Sequence, residues 1–248
     1  MTDAVDDLMQ LDLSRHCIFL DFDGTLVELA PTPDGITVPD ELPALLADLH
    51  ARMEGRLLLV SGREISSLTA HLKNFPGDIF GAHGAEMRRD GIETPHTLVG
   101  SDAVARVQAE AEKIAAAAAG LLLENKKTGA VVHFRADPGQ DGFVHAAMAK
   151  IAAEVPGMDL HASKMAYEVR PADASKAGVV KTVMAQMGEG IRPIVIGDDV
   201  TDEEAMVVAR QMQGVCIRVG DGDTVAQHRL PGTPAVLDLL RIWAEDNK

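Results

Sequence analysis

Two aspartates close a short apolar run at residues 18–26, IFLDFDGTL, and a glycine follows them at once. Side chains two apart on an extended chain point the same way. Gly24 lets the backbone turn so that its N–H groups face an anion. Asp21 and Asp23 thus stand at the carboxyl end of a strand, where parallel sheets collect ligands. Near the other end, VIGDDVTDE at 195–203 is again a strand, a glycine, then Asp198, Asp199, Asp202 and Glu203. Asp202 and Glu203 read equally as the cap of a following helix. Two acidic clusters at separate strand ends repel each other unless a cation sits between them. Hard oxygen ligands with room for water and a phosphate suit Mg²⁺.

Two further stretches add anion-binding groups. VSGRE at 60–64 ends a second apolar strand with Ser61, whose hydroxyl and neighbouring N–H groups suit a phosphate oxygen. Lys176 opens a helix in ADASKAGVV, which sets a lysine charge beside N-terminal amides that favour anions. Each stretch alone reads as an ordinary turn or a solvated lysine; the set in this order reads as phosphate chemistry.

The elements that must position these groups alternate. Apolar strands at 17–20, 56–60, in DIFGAHGAE, in RPIVIGDD and in GVCIRVG are separated by helical stretches. Those stretches are 40–53, EISSLTAHLKN, SKAGVVKTVMAQMG, TDEEAMVVARQM and a closing TPAVLDLLRIWAED. The alternation predicts an α/β fold, a Rossmann-like parallel sheet covered on both faces. After EMRRDGIET, read as a charged turn, the middle changes to helix 101–119, strands 121–126 and 129–135, helix 141–154 and strands 158–162 and 165–170. This αββαββ pattern predicts a small antiparallel sheet with helices on one face. The expected domains are a core of 1–96 and 173–248 and an inserted α+β domain at 97–172.

With 23 Lys and Arg against 38 Asp and Glu, the net charge of −15 argues against nucleic acid or an anionic membrane as partner. The acidic N-terminus lacks the order of a signal peptide, and no apolar run reaches bilayer length. Cys17 and Cys216 lie in apolar runs and read as reduced core thiols. The expected setting is the cytoplasm.

The order DxDGT, SGR, lysine, GDDxTDE resembles the haloacid dehalogenase (HAD) superfamily of aspartate-nucleophile phosphatases. The finer marks DFDGTLVELAPTPDG, GAHGAE, LENKKTGAVVHFR, KMAYEVRP and IGDDVTDE are similar to its trehalose-6-phosphate phosphatase family. The resemblance implies Mg²⁺-dependent hydrolysis of trehalose 6-phosphate to trehalose and inorganic phosphate, through a phosphorylated aspartate. It implies Asp21 as nucleophile, Asp23 as general acid and base, and Ser61 and Lys176 as catalytic phosphate ligands. It implies Asp21, Asp23 (through its carbonyl), Asp198 and, directly or through water, Asp199 as metal ligands, and Gly24, Thr25, Gly62 and Arg63 around the phosphate. From the inserted domain, acting as a cap, it implies Glu124, Lys126, Arg135, Lys164 and Glu168 at the sugar, with His83 and Glu86 near the junction. Glu124 and Lys126, two apart, share a strand face; Lys164 and Glu168 share one if that strand runs straight through. His133, in an apolar strand, is read as structural. This chain departs from the family's common pattern at Phe134, often a tyrosine, and at SKAG, often NKG-like. The expected partner is one small sugar phosphate, and the expected state is a stand-alone monomer. A phosphatase for sucrose phosphate or mannosyl-phosphoglycerate, and a non-catalytic sugar-phosphate sensor, are the alternatives.

Overall fold

The computed structural model describes residues 7–30, 35–163 and 165–245. The chain divides into two compact units, Met1–Thr94 with Ser175–Lys248, and Pro95–Ala174. In chain order the elements begin with β1 (His16–Leu20), α1 (Leu42–Arg52), β2 (Leu57–Val60), α2 (Ile65–His71), β3 (Ile79–Gly81), β4 (Glu86–Arg89) and β5 (Ile92–Pro95). The second unit contributes α3 (Asp102–Ala117), β6 (Leu122–Lys126), β7 (Gly129–His133), α4 (Asp141–Glu154), β8 (Met158–Ser163) and β9 (Ala166–Pro171). The chain then returns with α5 (Lys176–Met184), β10 (Arg192–Gly197), α6 (Val200–Gln211), β11 (Val215–Val219), β12 (His228–Leu230) and α7 (Thr233–Glu245).

The first unit holds an eight-stranded sheet of order β12-β11-β10-β1-β2-β3-β4-β5. From β12 to β3 neighbouring strands run parallel, and β3 with β4 is antiparallel. Its central strands are buried on both sides, so alternate residues feed two different cores. Ile18 and Leu20 pack with Leu57, Leu59, Ile194 and Ile196 against α1, α2 and α7. Cys17 and Phe19 pack with Leu58, Val60 and Val195 against α5 and α6. That two-sided burial is why these strands read as unbroken apolar runs rather than alternating ones. Cys17 and Cys216 are free and buried, and burial pushes both thiols up to about 12.

The segment EMRRDGIET is not a turn but the hairpin β4–β5, with Asp90 and Gly91 both at positive φ (50° and 77°). An Asp-Gly pair between extended segments favours the two-residue hairpin turn, whose twist matches the strands. The three-residue β12 was also not expected; its His-Arg-Leu sequence has no apolar run to announce it.

The second unit holds a four-stranded antiparallel sheet of order β6-β7-β9-β8. Ala130, Val132, Val169 and Met158 turn one face onto Val104, Val107 and Ala111 of α3 and Val144, Met148 and Ile151 of α4. The opposite face carries the polar side chains. Gly129 opens β7 where a Cβ would lie 1.9 Å from the Val169 carbonyl oxygen, an overlap with backbone that no rotamer change relieves. Gly129→Ala is expected to destabilise the protein by at least about 2 kcal/mol. Urea unfolding should show a lowered midpoint; an unchanged midpoint would mean that β7 and β9 do not approach this closely.

Candidate active site

Asp21 follows β1 directly, and its N–H donates to the Ile196 carbonyl of β10 at 3.0 Å, so the two acidic segments are tied by backbone. Phe22, fully buried, accepts at its carbonyl from the amides of Thr25, Leu26 and Val27 and closes the turn that carries Asp23. Gly24 sits in this turn at φ 75°, and a Cβ there would overlap the Asp198 carboxylate at 2.1 Å. Any larger residue would push Asp198 away from Asp21.

The charged centre lies at these strand ends. One carboxylate oxygen from each of Asp21, Asp198 and Asp202 lies within 4.8 Å of the others. Lys176, the first residue of α5, donates to Asp21 Oδ1 at 2.6 Å and to Asp202 Oδ1 at 2.8 Å. Ser175 caps that helix by accepting from the Gly178 amide, which fixes the lysine's starting point. Asp21, Asp202 and Lys176 are all buried, with Val60, Val180 and Val195 around them. Burial raises Asp21 to about 6 although Lys176 acts in the opposite sense. Asp202 rises to about 7, and Asp198 to about 6, again mainly through burial. Burial works against the Lys176 ammonium, yet Asp202 and Asp21 outweigh it and hold the lysine above its ordinary value. One ammonium facing three carboxylates leaves an excess of negative charge, and among the described residues the buried Asp198 Oδ1 has no hydrogen-bond partner. Hard oxygen donors so arranged fit a divalent cation.

The expected site residues fall into place unevenly. Asp199, expected beside Asp198 as a ligand directly or through water, is the N-cap of α6, its Oδ1 accepting from the Val200 amide at 2.7 Å. Asp202 takes the inward position: Oδ2 accepts from the Asp199 amide while Oδ1 meets Lys176. It is therefore both cap and cluster member, which the spacing Asp199-x-x-Asp202 permits because in a capping box the N3 side chain reaches back to the N-cap amide. Glu203 is engaged with Arg218 and the Val225 amide. Asp23 is held by a fork from Arg63, Nε to Oδ2 at 2.6 Å and Nη2 to Oδ1 at 2.7 Å. Thr25 Oγ1 faces Asp21 Oδ2 at 3.5 Å. Ser61 is buried at the end of β2, accepting from the Arg63 amide at 3.2 Å. The His83 ring packs on Gly62, 2.8 Å from where a Cβ would be. Glu86, expected near a sugar, accepts from the Ile65 amide at 2.8 Å and so serves the N-terminus of α2.

In the second unit, Glu124 pairs with Val131 and Lys126 with Gly129 across β6–β7, which places both side chains on the face away from the helices. Lys126 reaches Glu168 of β9 at 3.4 Å, and His133 Nε2 meets Glu124 at 2.9 Å. Arg135 is exposed just past the end of β7. Lys164 lies outside the described residues.

The family model described as trehalose-phosphatase matches residues 19–231. The chain is 32% identical over 244 residues to "Trehalose-6-phosphate phosphatase" of Escherichia coli, covering 98% of this chain and 91% of that one. It is 35% identical over 246 residues to "Probable trehalose-phosphate phosphatase" of Sinorhizobium fredii, covering 94% and 92%. Its fold is that of a solved Aspergillus fumigatus trehalose-6-phosphate phosphatase, with a TM-score of 0.77 at 21% identity over 99% of this chain and 98% of that one. A solved HAD phosphatase from Bacteroides thetaiotaomicron gives a TM-score of 0.63 at 16% identity over 94% and 97%. No described helix is long and apolar enough to cross a membrane. An HAD-type parallel sheet with acidic strand ends, matched almost end to end by these relatives, makes the chain a phosphatase and a member of the trehalose-phosphatase family.

Proposed function

We propose that this enzyme hydrolyses trehalose 6-phosphate to trehalose and inorganic phosphate, with Mg²⁺, through a phosphorylated Asp21. The observation that carries the reading is the cluster of buried Asp21 and Asp202 and half-buried Asp198 at Lys176, in a chain with relatives named as trehalose-phosphate phosphatases that it matches over nearly their whole length. Asp21 Oδ2, opposite the oxygen engaged by Lys176, attacks phosphorus in line and displaces the sugar 6-oxygen; water then attacks phosphorus of the acyl phosphate and frees Asp21. Lys176 holds the carboxylate in orientation and takes negative charge on the transferring phosphoryl group, and the Ser61 hydroxyl and the Gly62 amide receive its oxygens, the amides of Gly24, Thr25 and Arg63 being engaged by Val27, Phe22 and Ser61. Asp23 gives a proton to the leaving oxygen and later takes one from water. Both of its oxygens accept from Arg63 in this structure, so one bond of the fork opens when the proton is carried.

Asp21 and Asp198, with the Asp23 carbonyl, would hold the metal; Asp202, which also meets Lys176, lies within reach, and Asp199, whose Oδ1 caps the helix, would act directly or through water. When bound, Mg²⁺ offsets the repulsion between a carboxylate and a phosphate dianion. Sugar specificity is assigned to the second unit, with Glu124, Lys126 and Glu168 on its polar face and Arg135 just past the end of β7. Monomeric state and a cytoplasmic setting complete the reading.

Phosphate release with Mg²⁺ should be at least tenfold faster, in kcat/KM, for trehalose 6-phosphate than for glucose 6-phosphate or sucrose 6-phosphate. Equal values on all three would refute the disaccharide assignment and leave the phosphatase intact. Asp21→Asn should lose at least about a thousandfold in kcat with its fold preserved; substantial activity would refute the nucleophile.

The raised carboxylates also set a pH dependence. A carboxylate whose folded value lies above its unfolded one destabilises the fold as pH rises through the folded value. For Asp21, Asp198 and Asp202 that window runs from about 4 to about 7. Lys176, raised, contributes its stability throughout this window. His16, His50 and His161, lowered mainly by burial, act in the opposite sense. They cancel when the same pH is compared with and without metal. Mg²⁺ should therefore raise Tm by several degrees at pH 8 and by much less at pH 5, where protons occupy the carboxylates. An equal gain at both values, or none, would contradict a metal held by this trio.

A further inference from the structure

The pairing of the second unit's strands aligns its polar face into rows. Glu124 of β6 lies opposite Val131 of β7, Val131 opposite Glu168 of β9, and Glu168 opposite His161 of β8. Paired residues project to the same side, and Leu160 beside His161 packs with the helices. His161 therefore stands on the same face as Glu124 and Glu168, at the far end of their row. Its Nδ1 lies 3.2 Å from Arg170 Nη2. A guanidinium only donates, so Nδ1 must accept, and the ring proton of the neutral imidazole is on Nε2. Burial and the Arg170 charge both lower the His161 pKa and keep the ring neutral. This Nε2 is buried and has no hydrogen-bond partner among the described residues. A buried donor without an acceptor is costly, and structures rarely keep one without a reason.

A sugar ring presents hydroxyls that both give and receive hydrogen bonds, so a face that grips it needs acceptors and donors together. Glu124 and Glu168 are acceptors. Lys126 and Arg170 lie 3.4 and 3.7 Å from Glu168 and pair with it. The His161 N–H is a neutral, oriented donor in the same row.

We propose that His161 is a specificity residue whose Nε2–H donates to a hydroxyl oxygen of the substrate's sugar. This rests on the reading that the second unit binds the sugar. The bond is made equally in ground and transition states, so its loss appears in KM rather than kcat. His161→Ala should raise KM for trehalose 6-phosphate about five- to tenfold, the worth of one neutral hydrogen bond, with kcat within twofold. With p-nitrophenyl phosphate, which has no sugar, both constants should stay at the wild-type values. His161→Gln, which restores an N–H donor, should recover part of the loss. An unchanged KM for trehalose 6-phosphate in His161→Ala would overturn the proposal. So would an equal loss on both substrates, which marks a structural role, or the absence of any recovery with Gln. If the Ala variant does not fold, the Gln variant decides: KM raised tenfold or more in a folded His161→Gln would also overturn it. Wild-type protein that does not hydrolyse trehalose 6-phosphate would refute the functional reading itself, and that result is obtained before any variant is made.

Discussion

A single ammonium group, that of Lys176, lies between two buried carboxylates and decides what the site can be. An ion pair at 4 Å is worth about 1 kcal/mol in bulk water and about 4 kcal/mol where protein displaces solvent. At 2.6 and 2.8 Å from Asp21 and Asp202 the lysine acts in the stronger regime. Without it Asp21 would be a desolvated carboxylate facing two others, and its proton would bind more tightly. The architecture serves that contact: β1 and β10 bring the acids together at adjacent strand ends, Ser175 starts the helix that delivers the lysine, and Gly24 leaves room for Asp198. The remaining charge imbalance is what a divalent cation answers, and the unpartnered Asp198 oxygen is where it shows.

In the proposed function the two units divide the chemical work by the kind of polar group each offers. The first unit gathers full charges in a buried setting, suited to a phosphate dianion but indifferent to what the phosphate is attached to. The second presents carboxylates, a lysine and a neutral imidazole on one face of a small sheet, groups that match hydroxyls rather than phosphate. The proposed disaccharide preference rests on that second set, and altering it should change substrate choice without changing the reaction.

The α/β class and most elements were legible because two-sided burial writes strands as unbroken apolar runs, as in LLLV, and amphipathic helices as periodic ones; α4 spans 141–154 as expected. The hairpin β4–β5 was hidden by its charge, since an exposed edge pair needs no apolar alternation and only Asp90-Gly91 marked it. β12, three residues long, left no signal. In the site, residue types were legible but partners were not. Asp199 and Asp202 are interchangeable as letters, and only the helix start at Val200 turns one outward to cap and the other inward to Lys176. Glu86 was marked by the GAHGAE motif, which does not reveal the helix amide it receives. His161 carried no mark in sequence, because its significance comes from cross-strand register and from a neighbouring arginine that can only donate.

The most direct test of the account is the stereochemical course at phosphorus, followed with an isotopically chiral thiophosphate ester of trehalose hydrolysed in labelled water. Displacement by Asp21 and then by water inverts the centre twice, so the account predicts net retention. Net inversion would mean that water attacks the ester in one step, and the role given to Asp21 would be wrong.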